Sequence, residues 1–224
     1  MGPIRSVAVI GMLGAMVLTT GCASISNFQT AKPLGKGTAE ALGATSFLTM
    51  ANPLEPDSSI TFRTFELQAR VGLTEKLDIG LKYTFPTAGA LDVKYCFLGS
   101  GKERGLFMST GLQAGYTSFG SWGTDDDVDE NTADEKRVEF YVPVYLSIYP
   151  LDFLSLSVIP SYGGRFYTFA KGYENVLGGN ANVRIGKRFG VVLDFSLFRN
   201  FATEYTEKQV GIGAFVPLSQ LFKR

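Results

Sequence analysis

The sequence contains no histidine, one tryptophan and two cysteines, and its 21 basic and 21 acidic residues cancel to a formal net charge of zero. Each scarcity removes a class of function. Without histidine there are no Ser-His-Asp triads, no His-ligated zinc centres and no His general bases. Charged residues make up only 19% and leave no basic excess, which argues against nucleic acid, because its recognition uses a clustered basic surface. The apolar run from Val7 to Leu18 has twelve residues, short of the roughly 20 that a membrane-spanning helix needs. What the chain does have is 45% apolar residues, 13% aromatics and 26 glycines. Apolar residues spread along most of the chain exclude intrinsic disorder, and 224 residues fit one domain or at most two small ones.

Residues 1–21 read as a signal peptide, with Arg5 as the positive n-region and Val7 to Leu18 as the apolar h-region. Leu18-Thr19-Thr20-Gly21-Cys22 then resembles the lipobox of bacterial lipoproteins, although Thr19 stands where Leu is commoner. The resemblance implies cleavage before Cys22, uptake by its thiol of a lipid with palmitate-type chains, and a mature chain of 203 residues (224 minus 21) with a net charge of about −1. Ala23 and Ser24 in place of an acidic residue after the cysteine imply sorting to the outer membrane. The alternative is a plain secretory signal that happens to contain a cysteine. Cys96 is left without a disulfide partner and is expected as a small buried residue within a strand.

Residues 22–37 read as a lipidated tether, and beyond them period-two alternation dominates. Phe65, Leu67, Ala69 and Val71 share one face against Glu66, Gln68 and Arg70; Leu77, Ile79, Leu81, Tyr83 and Phe85 share one against Asp78, Gly80, Lys82 and Thr84. Strands are expected at about 38–50, 59–72, 77–86, 90–98, 105–119, 137–150, 154–166, 176–186, 190–201 and 207–218. Ten strands with turn residues between them suit an antiparallel meander rather than βαβ units.

Short connections at 73–76, 99–104, 151–153 and 187–189 alternate with longer ones at 51–58, 120–136, 167–175 and 202–206, with 87–89 as an exception. Aromatic residues cluster near strand ends on the apolar face, among them Tyr83, Phe85, Tyr95, Phe97, Tyr116, Phe140 and Tyr162. On these features residues 38–218 resemble the small outer-membrane β-barrels, with 219–224 as a tail ending Phe222-Lys223-Arg224. The resemblance implies an all-β, up-and-down transmembrane barrel with loops outside the cell and the lipidated N-terminus on the periplasmic side. Alternation alone does not say which face is inside, and a soluble lipid-anchored barrel of the lipocalin kind, holding an apolar ligand, has the same pattern. Pro143 and Pro160 fall within strands, where each removes a ladder donor, so a shared local bulge is expected there.

On the polar face the acids Glu66, Asp78, Asp92, Glu139 and Asp194 balance the bases Arg70, Lys82, Lys94, Arg165 and Arg184. Pairing the second and third strands about Thr74 sets Arg70 against Asp78 and Glu66 against Lys82; pairing the next two about Thr87 sets Lys82 against Asp92. Such charges form either an internally neutralised, plugged lumen or a charged eyelet in a narrow porin for small solutes. Tyr141, Tyr145 and Tyr149 on the same face add bulk and favour the plugged lumen. The omptin proteases, also ten-stranded, combine acidic residues with a His, so their chemistry does not carry over, and neither enzymatic activity nor a cofactor is expected. In the acidic loop 124–136, Asp125, Asp127 and Asp129 have the spacing of a calcium loop, but Glu130 and Lys136 stand where Gly and Glu are required. A solvated tip is the simpler reading, with weak divalent bridging to lipopolysaccharide as the alternative. The expected partners are thus membrane lipids and lipopolysaccharide.

Overall fold

The computed structural model describes residues 25–51, 58–85, 88–119, 135–168, 172–187 and 189–218. Among them are ten strands: β1 (Ala39–Ala51), β2 (Ser59–Gly72), β3 (Leu77–Phe85), β4 (Ala88–Leu98), β5 (Gly105–Phe119), β6 (Glu135–Leu151), β7 (Leu154–Tyr167), β8 (Tyr173–Gly186), β9 (Gly190–Asn200) and β10 (Thr206–Pro217). Each strand pairs antiparallel with the next, and β1 pairs with β10 from Glu40↔Pro217 to Thr49↔Lys208, which closes the barrel. The alternation places strand ends within three residues of those expected, and closure leaves no free edge.

The sidedness is inverted relative to a water-soluble protein. Leu91 is 65% exposed, Leu67 55% and Leu81 53%, whereas Asp78 and Asp194 are fully buried and Glu66 and Arg165 are 1% exposed. The apolar face therefore points outward and the charged face into the lumen. This corrects the lipocalin-like alternative, which requires an apolar interior; here the inward positions carry charges, Ser, Asn and Gln. Aromatics form two outward bands: Tyr83, Phe85, Tyr116, Phe140, Tyr162, Phe166 and Tyr173 near one end, and Tyr95, Phe97, Phe153 and Phe189 near the other.

Pro143 points inward and Pro160 outward, and the β6–β7 register runs unshifted past both, from Arg137↔Tyr167 to Ile148↔Leu156. The expected bulge is absent at the prolines; the irregularity lies between Ile148 and Leu151 instead. Gly111 on β5 answers to the other neighbour, β4, since a Cβ there would stand 2.7 Å from the Val93 carbonyl oxygen.

At the short-turn end Asp152, in the β6–β7 turn, pairs with Arg104 of the β4–β5 turn and accepts from Lys187 of the β8–β9 turn at 2.8 Å. Hydrogen bonds from Arg104 and Lys187 hold its carboxyl below the usual carboxylate range. A depressed folded value means that this contribution to stability is complete above about pH 5, clear of the ordinary Asp value near 4, and is lost as pH falls toward the folded value. Denaturant titrations of parent and Asp152→Asn should therefore differ at neutral pH and converge on acidification. A gap that widens as pH falls contradicts this.

Candidate functional site

Residues 25–34, within the stretch expected as a tether, lie inside the barrel. Upstream of β1 the chain reverses at Gly35 and Gly37, both in the left-handed region (φ 84° and 73°). The Thr38 hydroxyl donates to the carbonyls of Leu34 (2.6 Å) and Gly35 (2.7 Å), and Gly37 N–H donates to Gly72 O at 2.9 Å. A side chain at position 72 would collide with the Gly35 carbonyl, so glycine is required on both sides of this contact. Beyond the reversal, residues 25–34 run up the lumen, with Phe28 1% and Ala31 0% exposed.

A chain segment without a strand partner must find other hydrogen bonds for its backbone, and here the barrel wall supplies them. The amides of Ile25, Ala31 and Leu34 donate to Gln209 Oε1 (2.8 Å), Ser147 Oγ (2.7 Å) and Asp78 Oδ1 (3.2 Å). In return, Asn180 donates to Ile25 O (2.9 Å), Lys82 to Ser26 O (3.1 Å), and Asn182 to Asn27 O (3.0 Å) and Gln29 O (2.7 Å). Lys94 donates to Thr30 O (2.8 Å) and Lys32 O (3.2 Å), and Ser109 donates to Ala31 O. Side chains of the segment add Ser26 Oγ to Glu66 at 2.7 Å and Thr30 Oγ1 accepting from Tyr149 at 2.8 Å. The wall thus grips this segment chiefly by its main chain.

The ion pairs differ from those expected because the β2–β3 pairing is centred one residue later than Thr74 and the β3–β4 pairing one residue earlier than Thr87. Thr74 Oγ1 accepts the amides of Lys76 (3.1 Å) and Leu77 (3.0 Å), and Leu73 N–H bonds Leu77 O, so the turn centres on Glu75. The register becomes Gln68↔Lys82 and Arg70↔Gly80, and β4 follows with Gly80↔Asp92 and Asp78↔Lys94. Arg70 consequently pairs with Asp92 rather than Asp78, Asp78 pairs with Lys94 (3.2 Å) rather than Arg70, and Lys82 faces Ala90 across the strands rather than Asp92. Glu66 does not face Lys82 across the strands but Thr84, and it accepts from Ser26 and Ser46 (2.8 Å). Arg70 and Asp92 sit on strands separated by β3 and meet across Gly80, where a Cβ would stand 2.6 Å from the guanidinium. The missing side chain of Gly80 is what allows this pair to form.

Nearer the other end, Arg165 binds Glu207 through two nitrogens (2.5 and 2.7 Å) and lies 4.0 Å from Glu139, which pairs with Arg137. Arg184 pairs with Glu40 (3.0 Å for one nitrogen), and Asp194 accepts from Ser196 (2.7 Å), Asn180 and the Asn27 amide. All ten expected lumen charges are inward. Glu40, Arg137 and Glu207 join them without having been expected; Arg137 and Glu207 share the phase of Glu139 and Gln209, so the alternation extended to the strand ends contains both. Tyr141, Tyr145 and Tyr149 also face inward, Tyr141 accepting from Arg165 (2.9 Å), and Cys96 is a buried free thiol. Cys22 and the loop bearing Asp125, Asp127 and Asp129 lie outside the described residues.

Removing one member of a buried pair leaves the other uncompensated, at a cost of about 3–5 kcal/mol, whereas an apolar replacement of both is often near neutral. Asp92→Ala is therefore expected to destabilise the folded barrel by about that amount in denaturant titrations, and the double change Arg70→Met with Asp92→Leu to recover most of it. Equal losses in single and double variants contradict the pairing across Gly80.

No protein-family model and no curated protein matches the sequence. Among solved structures the chain is similar to the attachment invasion locus protein Ail of Yersinia pestis (11% identity, TM-score 0.36, covering 81% of this chain and 99% of that one). It is similar to the N-terminal β-barrel domain of Pseudomonas aeruginosa OprF (11%, TM-score 0.38, 81% and 98%). The translocator domain of the autotransporter NalP from Neisseria meningitidis also matches (11%, TM-score 0.40, 95% and 97%). At such identities and scores nothing about function transfers to this chain.

Proposed function

We propose that the protein is a lipid-anchored β-barrel of the bacterial outer membrane, with a structural or surface-exposed role and a lumen closed by its own residues 25–34. The observation that carries this reading is the combination of an outward apolar wall with an inner segment held by main-chain hydrogen bonds to buried wall residues. An apolar belt with aromatic bands at both rims suits a bilayer, where every backbone group must be paired internally. Short turns and both barrel ends on one side favour the periplasm for that side and the cell exterior for the longer loops. The Cys22 lipobox supplies the anchor, with membrane lipids and lipopolysaccharide as the contacting partners and no catalytic role. A solute channel would require the segment to leave the lumen and strand Asp78, Lys94 and Lys82 with fewer partners.

Two measurements test this reading. The mature protein, demonstrably inserted in a planar bilayer, should show no conductance steps, while a variant lacking residues 25–34 should conduct; steady steps from the intact protein contradict the closed lumen. Leu81→Arg, on the outward face, should cost about 2–4 kcal/mol in bilayer-folded protein if it sits near the membrane midplane. An unchanged unfolding free energy contradicts the lipid-facing wall.

A further inference from the structure

The inner segment has a direction, and the direction has a topological consequence. Its C-terminal end lies among the short turns: Gly37 bonds Gly72 O, Leu34 bonds Asp78 near the beginning of β3, and Lys32 Nζ reaches Glu103 O in the β4–β5 connection at 3.0 Å. Midway, Ala31 lies between Ser109 and Ser147. At the far end Ile25 packs with Leu48, Tyr141, Val176 and Phe198, with Met50 and Phe62 against them. Leu48 and Met50 close β1, Phe62 opens β2, Val176 opens β8 and Phe198 closes β9, so this cluster belongs to the long-loop end. Ile25, the first described residue, therefore stands toward the mouth opposite the short turns.

We infer that the N-terminus is threaded outward through the barrel, so that Cys22 emerges at the external mouth and a lipid on its thiol belongs to the outer leaflet, among glycolipid acyl chains. This rests on the outer-membrane reading above and corrects its simplest corollary, that the lipid holds the N-terminus on the periplasmic side. Cys22 is three residues from Ile25, a span of at most about 11 Å of extended chain, whereas returning to the short-turn end means retracing the whole lumen. The lumen is occupied along that path by the segment itself and by the wall residues Arg70, Asp92 and Tyr145, all buried. The anchor and the extracellular loops then share one side of the membrane, and closure of β1 on β10 encloses the segment between them.

The test uses single thiols in a full-length Cys96→Ala background, probed in intact cells with a membrane-impermeant maleimide. Ser24→Cys reports the threaded end, Glu204→Cys the β9–β10 loop at the long-loop end, and Glu75→Cys the β2–β3 turn at the short-turn end. Threading predicts that Ser24→Cys and Glu204→Cys react in intact cells and that Glu75→Cys reacts only after the envelope is opened. If Glu204→Cys reacts in intact cells and Ser24→Cys only after opening, the inference is overturned while the barrel reading stands. If Glu75→Cys reacts and Glu204→Cys does not, the assumed orientation has failed instead. Should Ser24→Cys react in neither state, a short dithiol cross-linker applied to Ser26→Cys with Glu66→Cys decides. A cross-link supports a segment inside the lumen, and none overturns it. Incorporation of an alkyne-labelled palmitate that Cys22→Ala abolishes reports the lipid separately.

Discussion

The structure turns on one constraint: a closed barrel with an apolar exterior must satisfy its charges and polar groups from within. No water-facing side is available to the inward residues of β2, β3, β4 and β9, where Glu66, Asp78, Lys94 and Asp194 are nearly or completely buried. Burial of a charge is tolerated only when it is paired or hydrogen-bonded. The wall meets part of this demand by itself, through Arg70 with Asp92 and Arg165 with Glu207. A further part is met by the N-terminal segment, whose amides and carbonyls bond Asp78, Lys94, Lys82, Asn180 and Asn182. Segment and wall are therefore each other's solvent, and neither arrangement is complete without the other.

This dependence explains the placement of small residues. Gly80 has no side chain because a guanidinium passes over it; Gly35 and Gly72 meet because the chain turns into the lumen there. Ser109 and Ser147 flank Ala31 closely enough to bond its carbonyl and amide, which larger side chains on the segment would prevent. Hydrogen bonds to charged groups contribute about 1.5–3 kcal/mol each, roughly twice the neutral value. Lys94 makes two such bonds to the segment while holding Asp78, so it couples the ion pair to the position of the inner chain.

Most of the wall was legible in the sequence because period-two alternation is a local signal. Leu91, Val93 and Tyr95 against Asp92 and Lys94 define a strand and its two faces without knowledge of anything distant, and only the choice of which face is inside needed the structure. The pairing partners were less legible because register depends on the turn centre. One residue's error about Thr74 displaces each pair by two positions and exchanges the partners of Arg70 and Asp78. Glu40 was hidden in β1, where Gly43, Ala44 and Leu42 blur the alternation. The inner segment was not legible at all. Its Ser, Asn, Gln, Thr and Lys residues have the composition of a linker, and what orders them lies far away in the chain, as with Ile25 and Gln209, 184 residues apart.

The central claim, that residues 25–34 are an integral part of the barrel interior, is tested most directly by amide hydrogen exchange on the membrane-inserted protein. The amides of Ile25, Ala31 and Leu34 should be protected to the same degree as those of the central strands, since each is bonded to a buried wall side chain. Exchange of these amides at the rate of an unstructured peptide, with the strands still protected, would contradict the account.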